Sequence, residues 1–496
     1  MPKKHVYWIF IFTLISFACY CCADRFAISL RFIMNEVNNR ALHPRSKREL
    51  FDSMLSGMMS GYNDFSNYFP PQPYAQFNED LYQNVEGVGA EIFHDETKNQ
   101  FIIGCALPDS PAANAGLLSG DVILALDNVP IHPDATRSTP DNTPSAPGTP
   151  DAPNTLGAPN APDDTFTPPT LSDVRMMLRG KVGSTLKMEI FRPSTMVKRE
   201  FTLVRDVFHV ESVVGFCRNS DATWQYVLPP LPPSADGATA GVSKKIVYIR
   251  IRAIANDTPA ELRRLLRRFR AEEMQGLVLD LRGNAGGFVD SAVAICNMFM
   301  KGGTVYTSYG RDDVLISSAT ANKERECRDI PIAILIDGGT ASASELIAAC
   351  LKDYGEMKKI QVVCVGTRTF GKGTVQDTLD IGPLPDDRYQ ETTRTSEGLW
   401  RRIWRSPQRG GISISVAEYR SPLGKKIQRY AHETESDVWG VTPSAGYEVK
   451  MSKNKKTTLF REKLASGLLS DEVKNIYQFD PQLQAAVEFF STLSPP

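Results

Sequence analysis

The stretch Ile336-Asp337-Gly338-Gly339-Thr340-Ala341-Ser342-Ala343-Ser344-Glu345 decides how this chain folds. The apolar run before it, Ile330 to Ile336, reads as a buried strand that breaks at two glycines. From Ser344 onward the pattern is helical, with Leu346, Ile347, Cys350 and Leu351 on one face. A hydroxyl residue at a strand-to-helix turn stands where free helix amides stabilise negative charge. Ser342 and Ser344 are therefore candidates for a nucleophile, and equally for a plain helix cap.

The same texture extends to both sides. Ile246 to Ile251 reads as a strand, and the spacing Thr258-Pro259-Ala260-Glu261 predicts a capping box with proline at the first helical position. Leu262, Leu265, Leu266 and Phe269 then mark an amphipathic helix, with Arg263, Arg264, Arg267 and Arg268 on its solvated face. Gly276 to Arg282 is the next strand; it leads into Gly283-Asn284-Ala285-Gly286-Gly287 and a helix through Val293, Ile295 and Met298. Ile360 to Val365 continues the series. A βαβα rhythm with apolar strands predicts a mainly parallel, covered sheet, with its chemistry on loops at the strand ends.

Upstream the texture differs. Glu86-Gly87-Val88-Gly89-Ala90-Glu91-Ile92 is a glycine-bracketed loop entering a strand, and Phe101 to Ile103 is a second strand. Ser110-Pro111-Ala112-Ala113-Asn114-Ala115-Gly116-Leu117 has the cap, N1 proline and glycine stop of a short helix. Gly120 to Asp127 is a turn and strand; Leu171 to Gly180 is a helix; Leu186 to Ile190 and Phe201 to Leu203 are alternating strands. The segment resembles a PDZ domain, in which the amides of a glycine loop, here Gly87, Val88 and Gly89, receive a peptide's terminal carboxylate while the peptide adds as a strand. Residues 132–170 interrupt it with Pro, Thr, Asp, Ala and Asn, too few large apolar groups to offset ordering entropy, so a disordered insertion is expected there.

A chain of 496 residues predicts two or three domains, and its 42% hydrophobic content supports a sizeable core. A net charge of −1 gives no reason to expect nucleic acid. The nine cysteines form no pair suited to zinc, and neither a metal nor a disulfide framework is expected. Lys3, Lys4 and His5 precede an apolar run from Val6 to Ala18 and the small-residue exit Cys21-Cys22-Ala23. This is the pattern of a secretory signal peptide, its rival an uncleaved membrane anchor. Export to the periplasm or cell envelope is the expectation. Phe26 to Tyr82 then read as a helical N-terminal region, closed by an aromatic turn from Gly61 to Pro70.

Three glycine-marked loops follow strands: 283–287, 338–344 and Gly366 to Gln376. None carries a P-loop or a regular GxGxxG fingerprint, which disfavours nucleotide binding. The six histidines lie in no glycine-rich or strand-end setting, so a serine nucleophile needs another base. Lys372, between Gly371 and Gly373, can serve if desolvation by neighbours such as Phe370 and Val375 lowers its pKa.

Asp280 to Gly287, Thr340 to Glu345 and Thr369-Phe370-Gly371-Lys372-Gly373-Thr374-Val375-Gln376 together resemble the three core motifs of the carboxyl-terminal processing (tail-specific) serine peptidases. The likeness continues at Tyr419 to Ile427 and Asp480 to Leu483 and covers the chain from about Leu50. It implies an α/β Ser/Lys peptidase core of crotonase/ClpP-like βα units, an inserted PDZ domain and an N-terminal helical region. It implies Ser342 as nucleophile, Lys372 as general base and Gln376 as the residue orienting it. The amides of Ala343 and Gly287 would form the oxyanion hole. Ser344 is left the capping role. Substrates would be proteins or peptides bound by their C-termini, with no cofactor; a catalytically impaired PDZ scaffold is the alternative.

Geometry bears on two residues. Asp353, eleven residues after Ser342, would lie about 16 Å along the helix axis, too far to be its partner, and reads as structural. Gln376 is four residues after Lys372, so for it to orient the lysine the chain should turn near Gly373. Two departures stand out: Ala285 where the family often has proline, and a charged, aromatic insertion from about Pro383 to Arg409. The expected organisation is a signal or anchor (1–23), helical region (24–82), PDZ domain (83–206), peptidase core (207–430) and a C-terminal region (431–496) packing on the core.

Overall fold

A computed structural model of the chain describes residues 25–71, 73–74, 77–78, 83–95, 98–131, 169–219, 223–231, 244–322, 326, 330–383, 409–451 and 476–493. The expected signal or anchor, almost all of the 132–170 insertion and the insertion after Pro383 lie outside the described residues. Two compact units are formed: one from the residues up to Gln76 with Gln376–Val416, the other from Phe77–Val375 with Ala417–Pro496. Residues 376–383 and 409–416, expected inside the core, thus group with the N-terminal helices.

In the first unit, α1 (Arg25–Arg40) and α2 (Lys47–Tyr62) realise the expected helical region. A capping box starts α2: Ser46 Oγ accepts from the Glu49 amide at 3.1 Å and Glu49 Oε2 accepts from the Ser46 amide at 2.8 Å. Leu55 and Met59 of α2 pack with Tyr68 of β1 (Asn67–Phe69).

The second unit opens with the small β-domain. Strand β2 (Asn84–Gly87) precedes β3 (Ala90–Asp95), β4 (Gln100–Ala106), the short helix α3 (Pro111–Asn114), β5 (Val122–Leu126) and β6 (Val129–Pro130). Helix α4 (Leu171–Leu178), β7 (Thr185–Arg192), β8 (Val197–Val204) and β9 (Asp206–His209) follow. The sheet runs β3-β4-β5-β7-β8, and β2 pairs with β9. Ile103, Ile123, Leu126, Met188 and Ile190 fill its core. As the Ser-Pro and glycine signals required, Ser110 caps α3, accepting from the Ala113 amide at 3.3 Å. Strand β3 forms the sheet edge, and the end of α4 lies beside it, with Leu178 O accepting from the Val88 amide at 3.2 Å.

The α/β core follows: β10 (Val213–Val214), β11 (Cys217–Arg218), β12 (Trp224–Gln225), β13 (Ile246–Ile251), α5 (Thr258–Ala271), β14 (Gly276–Asp280) and α6 (Val289–Asn297). Next come the hairpin β15 (Gly303–Tyr309) and β16 (Leu315–Ala321), β17 (Ile332–Ile336), α7 (Ala343–Glu356) and β18 (Val362–Gly366). The sheet order is β10-β13-β14-β17-β18, parallel throughout except for β10. Helices α5, α6 and α7 cover one face through Leu266, Phe269, Ile295, Leu346 and Ile347. All five residues of β17 are buried because the other face is covered too. Burying each large apolar side chain stabilises by about 1.5–3 kcal/mol, which is why this strand reads as a continuous apolar run instead of alternating.

Strand β19 (Thr374–Pro383) pairs with β20 (Arg409–Arg420). In the first unit β20 pairs with β1, and Ile381, Ile412 and Ile414 pack on the Leu55–Met59–Tyr68 cluster, which is what draws this arm out of the expected core. In the second unit, Glu418 to Arg420 pair with β15. The chain closes with α8 (Ile476–Phe479) and α9 (Pro481–Thr492), whose Leu483, Val487 and Phe490 cover the second face of the parallel sheet.

The capping box expected at Thr258 is not formed. Thr258 Oγ1 instead accepts from the Ala255 amide, and the buried Glu261 carboxylate takes the amides of Ser212 and Val213 at 3.1 and 3.0 Å. Two main-chain amides from β10 and the residue before it outcompete one cap contact. The arginines of α5 lie on the solvated face as expected, Arg263 and Arg267 pairing with Glu326.

Candidate active site

The three glycine-marked loops meet at the C-terminal ends of the parallel strands. After β17, Asp337 Oδ1 accepts from the amides of Gly339 and Gly283, both at 2.9 Å, and Thr340 Oγ1 donates to Leu281 O at 2.9 Å. The Ala341 amide donates to Asn284 O at 2.9 Å. These bonds knit the loop after β14 to the loop after β17 and deliver the chain to Ser342.

Ser342 stands at the N-cap position of α7 with φ 58° and ψ −124°. For a residue with a Cβ such a conformation costs roughly 1–3 kcal/mol and persists only where the surroundings impose it. Strained serines on sharp strand-to-helix turns present their hydroxyl at the head of a sheet. Ser344 does not cap the helix: it lies inside the first turn, its hydroxyl buried with no hydrogen-bond partner among the described residues. The N-cap position is two residues earlier than the apolar pattern suggested, because the strained Ser342 itself makes the break.

The paired glycines press against this turn. A Cβ on Gly286 would lie 2.7 Å from Ser342 Cβ and 3.0 Å from the Ala343 nitrogen. On Gly287, at φ 147°, it would overlap Ile254 O. Gly286 gives its amide to Asn284 Oδ1 at 2.9 Å and its carbonyl to the Ile254 amide at 2.9 Å. The amides of Gly287 and Ala343 have no acceptor among the described residues; the latter is the first of its helix, where none is available. The departure at Ala285 falls on an exposed position, and the loop is held through Asn284, whose Nδ2 donates to Ile251 O at 2.8 Å.

Lys372 is half-buried in the third loop. Burial pushes its ammonium pKa down, with Glu345 pulling the other way. Phe370, expected to help seal the lysine, is half exposed; the loop packs instead on Trp439, which a Cβ on Gly371 would crowd at 2.9 Å.

Glu345 and Tyr419, to which the sequence reading gave no role, organise the site. Glu345 Oε2 accepts from the amides of Ser342 at 2.9 Å and Lys372 at 2.8 Å. Its Oε1 accepts from the Gly371 amide at 2.7 Å and from Thr369 Oγ1 at 2.5 Å. Burial pushes the Glu345 carboxyl up, and Thr369 and the three amides pull it back. The buried Tyr419 hydroxyl lies 2.5 Å from Ser342 O and 2.9 Å from Lys372 O. The Ser-x-x-Glu spacing of Ser342 and Glu345 was the signal available for the first; nothing in the local sequence marked the second.

Asp353 is structural, as the helix geometry required: it accepts from the Leu423 amide at 2.8 Å and pairs with Lys425 at 2.9 Å. Gln376 lies in the other unit, on β19, where its Nε2 donates to Ser415 Oγ at 2.7 Å and its Oε1 accepts from Ser413 Oγ at 3.3 Å. The chain enters an extended strand at Thr374, directly after Gly373. In the small β-domain the Val88 amide, expected to be open to a carboxylate, is bonded to Leu178 O.

A strained serine, a lysine whose pKa burial lowers, and two amides with no acceptor among the described residues gather at the C-terminal ends of the parallel strands; these are the residue types an acyl-transfer site needs, and a PDZ-like domain precedes them. The model of peptidase family S41 matches residues 245–444, and that of the PDZ domain matches residues 102–141. The matched regions are those of an S41 serine peptidase and of a PDZ domain, and the chain is similar to carboxyl-terminal processing proteases. It is 27% identical over 466 residues to a Staphylococcus epidermidis protein named "Probable CtpA-like serine protease", covering 93% of this chain and 76% of that one. To the carboxy-terminal processing protease CtpB of Bacillus subtilis it is 26% identical over 353 residues, 70% of this chain and 59% of the relative. The photosystem II D1 C-terminal processing protease structure aligns with a TM-score of 0.39 at 21% identity, covering 84% of this chain and 86% of that one.

Proposed function

We propose that this protein is an exported serine endopeptidase that takes the C-terminal tail of a protein or peptide on its PDZ domain and cleaves the chain by a Ser/Lys mechanism. Neutral Lys372 takes the proton of Ser342 as its oxygen attacks the scissile carbonyl. The amides of Ala343 and Gly287 receive the developing oxyanion, and the Lys372 ammonium returns its proton to the leaving amine. Water then attacks the acyl ester, and Lys372 serves again as base.

The observation that carries the reading is the Glu345 carboxylate, which binds the main-chain amides of Ser342 and Lys372 and so fixes the proposed nucleophile and base to one anchor. Substrate capture by strand addition is supported by β3, which pairs only with β4 among the described residues and has α4 beside it. The Val88 amide, one of the three donors in this reading, is already bonded to Leu178 O. Export rests on the basic and apolar pattern of residues 3–23. The βα units of the core are read as crotonase/ClpP-like.

Ser342→Ala and Lys372→Ala should each abolish cleavage of an unstructured peptide while the far-UV dichroism is preserved. Turnover in either purified variant contradicts the assignment. A substrate with an amidated C-terminus should be cleaved more slowly than its free-acid counterpart; equal rates remove the PDZ part of the reading.

A further inference from the structure

We propose that Tyr419 is a positioning residue for the reaction, its single hydroxyl proton holding the main-chain carbonyls of Ser342 and Lys372 together. This deepens the Ser/Lys reading and rests on it.

The geometry is a two-sided clamp. On the amide side, Ser342 N and Lys372 N both donate to Glu345 Oε2 at 2.9 and 2.8 Å. On the carbonyl side, Ser342 O and Lys372 O both accept from Tyr419 Oη at 2.5 and 2.9 Å. The two residues that must act on each other are therefore gripped on both sides of their Cα atoms, at amide nitrogen and carbonyl oxygen, by the same pair of side chains. Tyr419 is itself fixed: its amide donates to Gly373 O at 2.9 Å, next to the lysine, and its residue pairs with Ser308 of β15.

The chemistry of the partners assigns the proton. Both are carbonyl oxygens, which only accept, so Tyr419 must stay a neutral donor. Burial, and secondarily Glu345, push its hydroxyl well above the ordinary tyrosine range, in the same sense. Tyr419 thus neither gives up nor takes a proton in the reaction. It shares one O–H between two acceptors, with the shorter bond to the strained serine. Ser342 O also accepts from the Leu346 amide at 3.1 Å, so removing the hydroxyl leaves the helix start bonded. What is lost is the tie between the serine turn and the lysine loop.

The test uses the full-length protein and a peptide substrate. Tyr419→Phe keeps the ring and deletes the donor. Its kcat should fall by about 10- to 100-fold, as expected when reacting groups lose fixed alignment, with KM within twofold of wild type. The acid limb of the pH profile should stay in place, because burial and the Glu345 charge, not the Tyr419 hydroxyl, shift Lys372. Incorporating 4-aminophenylalanine at position 419, which restores an N–H donor at the same place, should recover most of kcat. Wild-type kcat in Tyr419→Phe overturns the proposal, as does a folded 4-aminophenylalanine protein that stays inactive. Should Tyr419→Phe fail to fold, the 4-aminophenylalanine protein alone decides. Ser342→Ala separates the levels: turnover there defeats the Ser/Lys reading itself, whereas a dead Ser342→Ala beside a fully active Tyr419→Phe defeats only the role of Tyr419.

Discussion

The amide of Ser342 donates to the carboxylate of Glu345 at 2.9 Å, three residues along the same helical turn. Taken alone this is half of a capping box. Because the same carboxylate also binds the amides of Gly371 and Lys372, a local helix-start motif becomes the joint between two loops thirty residues apart.

Glu345→Gln tests that joint. The amide nitrogen of glutamine cannot accept from the Ser342 and Lys372 amides while the carbonyl keeps Thr369 and Gly371. The variant should lose kcat by about 100-fold, the scale of a misaligned catalytic group. It should also lose roughly 1–3 kcal/mol of stability, the scale of a buried donor left unpaired. Peptide-cleavage kinetics and denaturant unfolding read the two effects; unchanged kcat would show that the joint does not position the reacting groups.

The pH profile follows from Lys372. Only neutral lysine can take the serine proton, and burial lowers its pKa. Activity should therefore rise with pH along a limb lying below the ordinary lysine value of about 10.4. Lys372→Arg should be inactive at every pH, since a guanidinium does not deprotonate in proteins.

Gly287→Ala places a methyl group into the Ile254 carbonyl. Shifting the Gly287 amide should lower kcat by about 100- to 1,000-fold, the measured scale for one oxyanion donor, with substrate affinity little changed. A variant with normal kcat would assign the second donor elsewhere.

Away from the site, Arg282 bonds Asp280 and Asp480 in a buried cluster that ties α9 to the end of β14. Burial alone would raise the Asp280 pKa, but Arg282 dominates and holds it well below the usual carboxylate range. A depressed folded-state pKa contributes stability that is present above the unfolded value, about 3.9, and is lost as pH falls toward the folded one. Wild-type unfolding free energy should thus decline below about pH 4. Arg282→Met should cost about 3–5 kcal/mol at neutral pH by stranding two carboxylates. Equal wild-type and variant stability at pH 7 would contradict this.

Much of the fold was legible because its signals are local. Buried parallel strands write continuous apolar runs, as at Ile332–Ile336, and helix starts write Ser-Pro spacings, as at Ser110. The same logic failed at Thr258, where Glu261 is taken by a neighbouring strand, and at Ser344, two residues past the true break. In both cases a tertiary contact or backbone strain outweighed a local preference of about 1 kcal/mol.

The sequence by itself determined the succession of α/β core loops, the PDZ-like texture before them and the residue types able to perform acyl transfer. Only the tertiary structure decided which groups hold those residues. Tyr419 sits on a strand far along the chain and carries no spacing signal, yet its hydroxyl reaches the carbonyls of both Ser342 and Lys372. Likewise Gln376 belongs to an arm whose apolar face packs with the N-terminal helices. Periodicity encodes what a residue's own segment buries. It does not encode which distant segment supplies a donor, and that depends on how strands and loops are brought together in space.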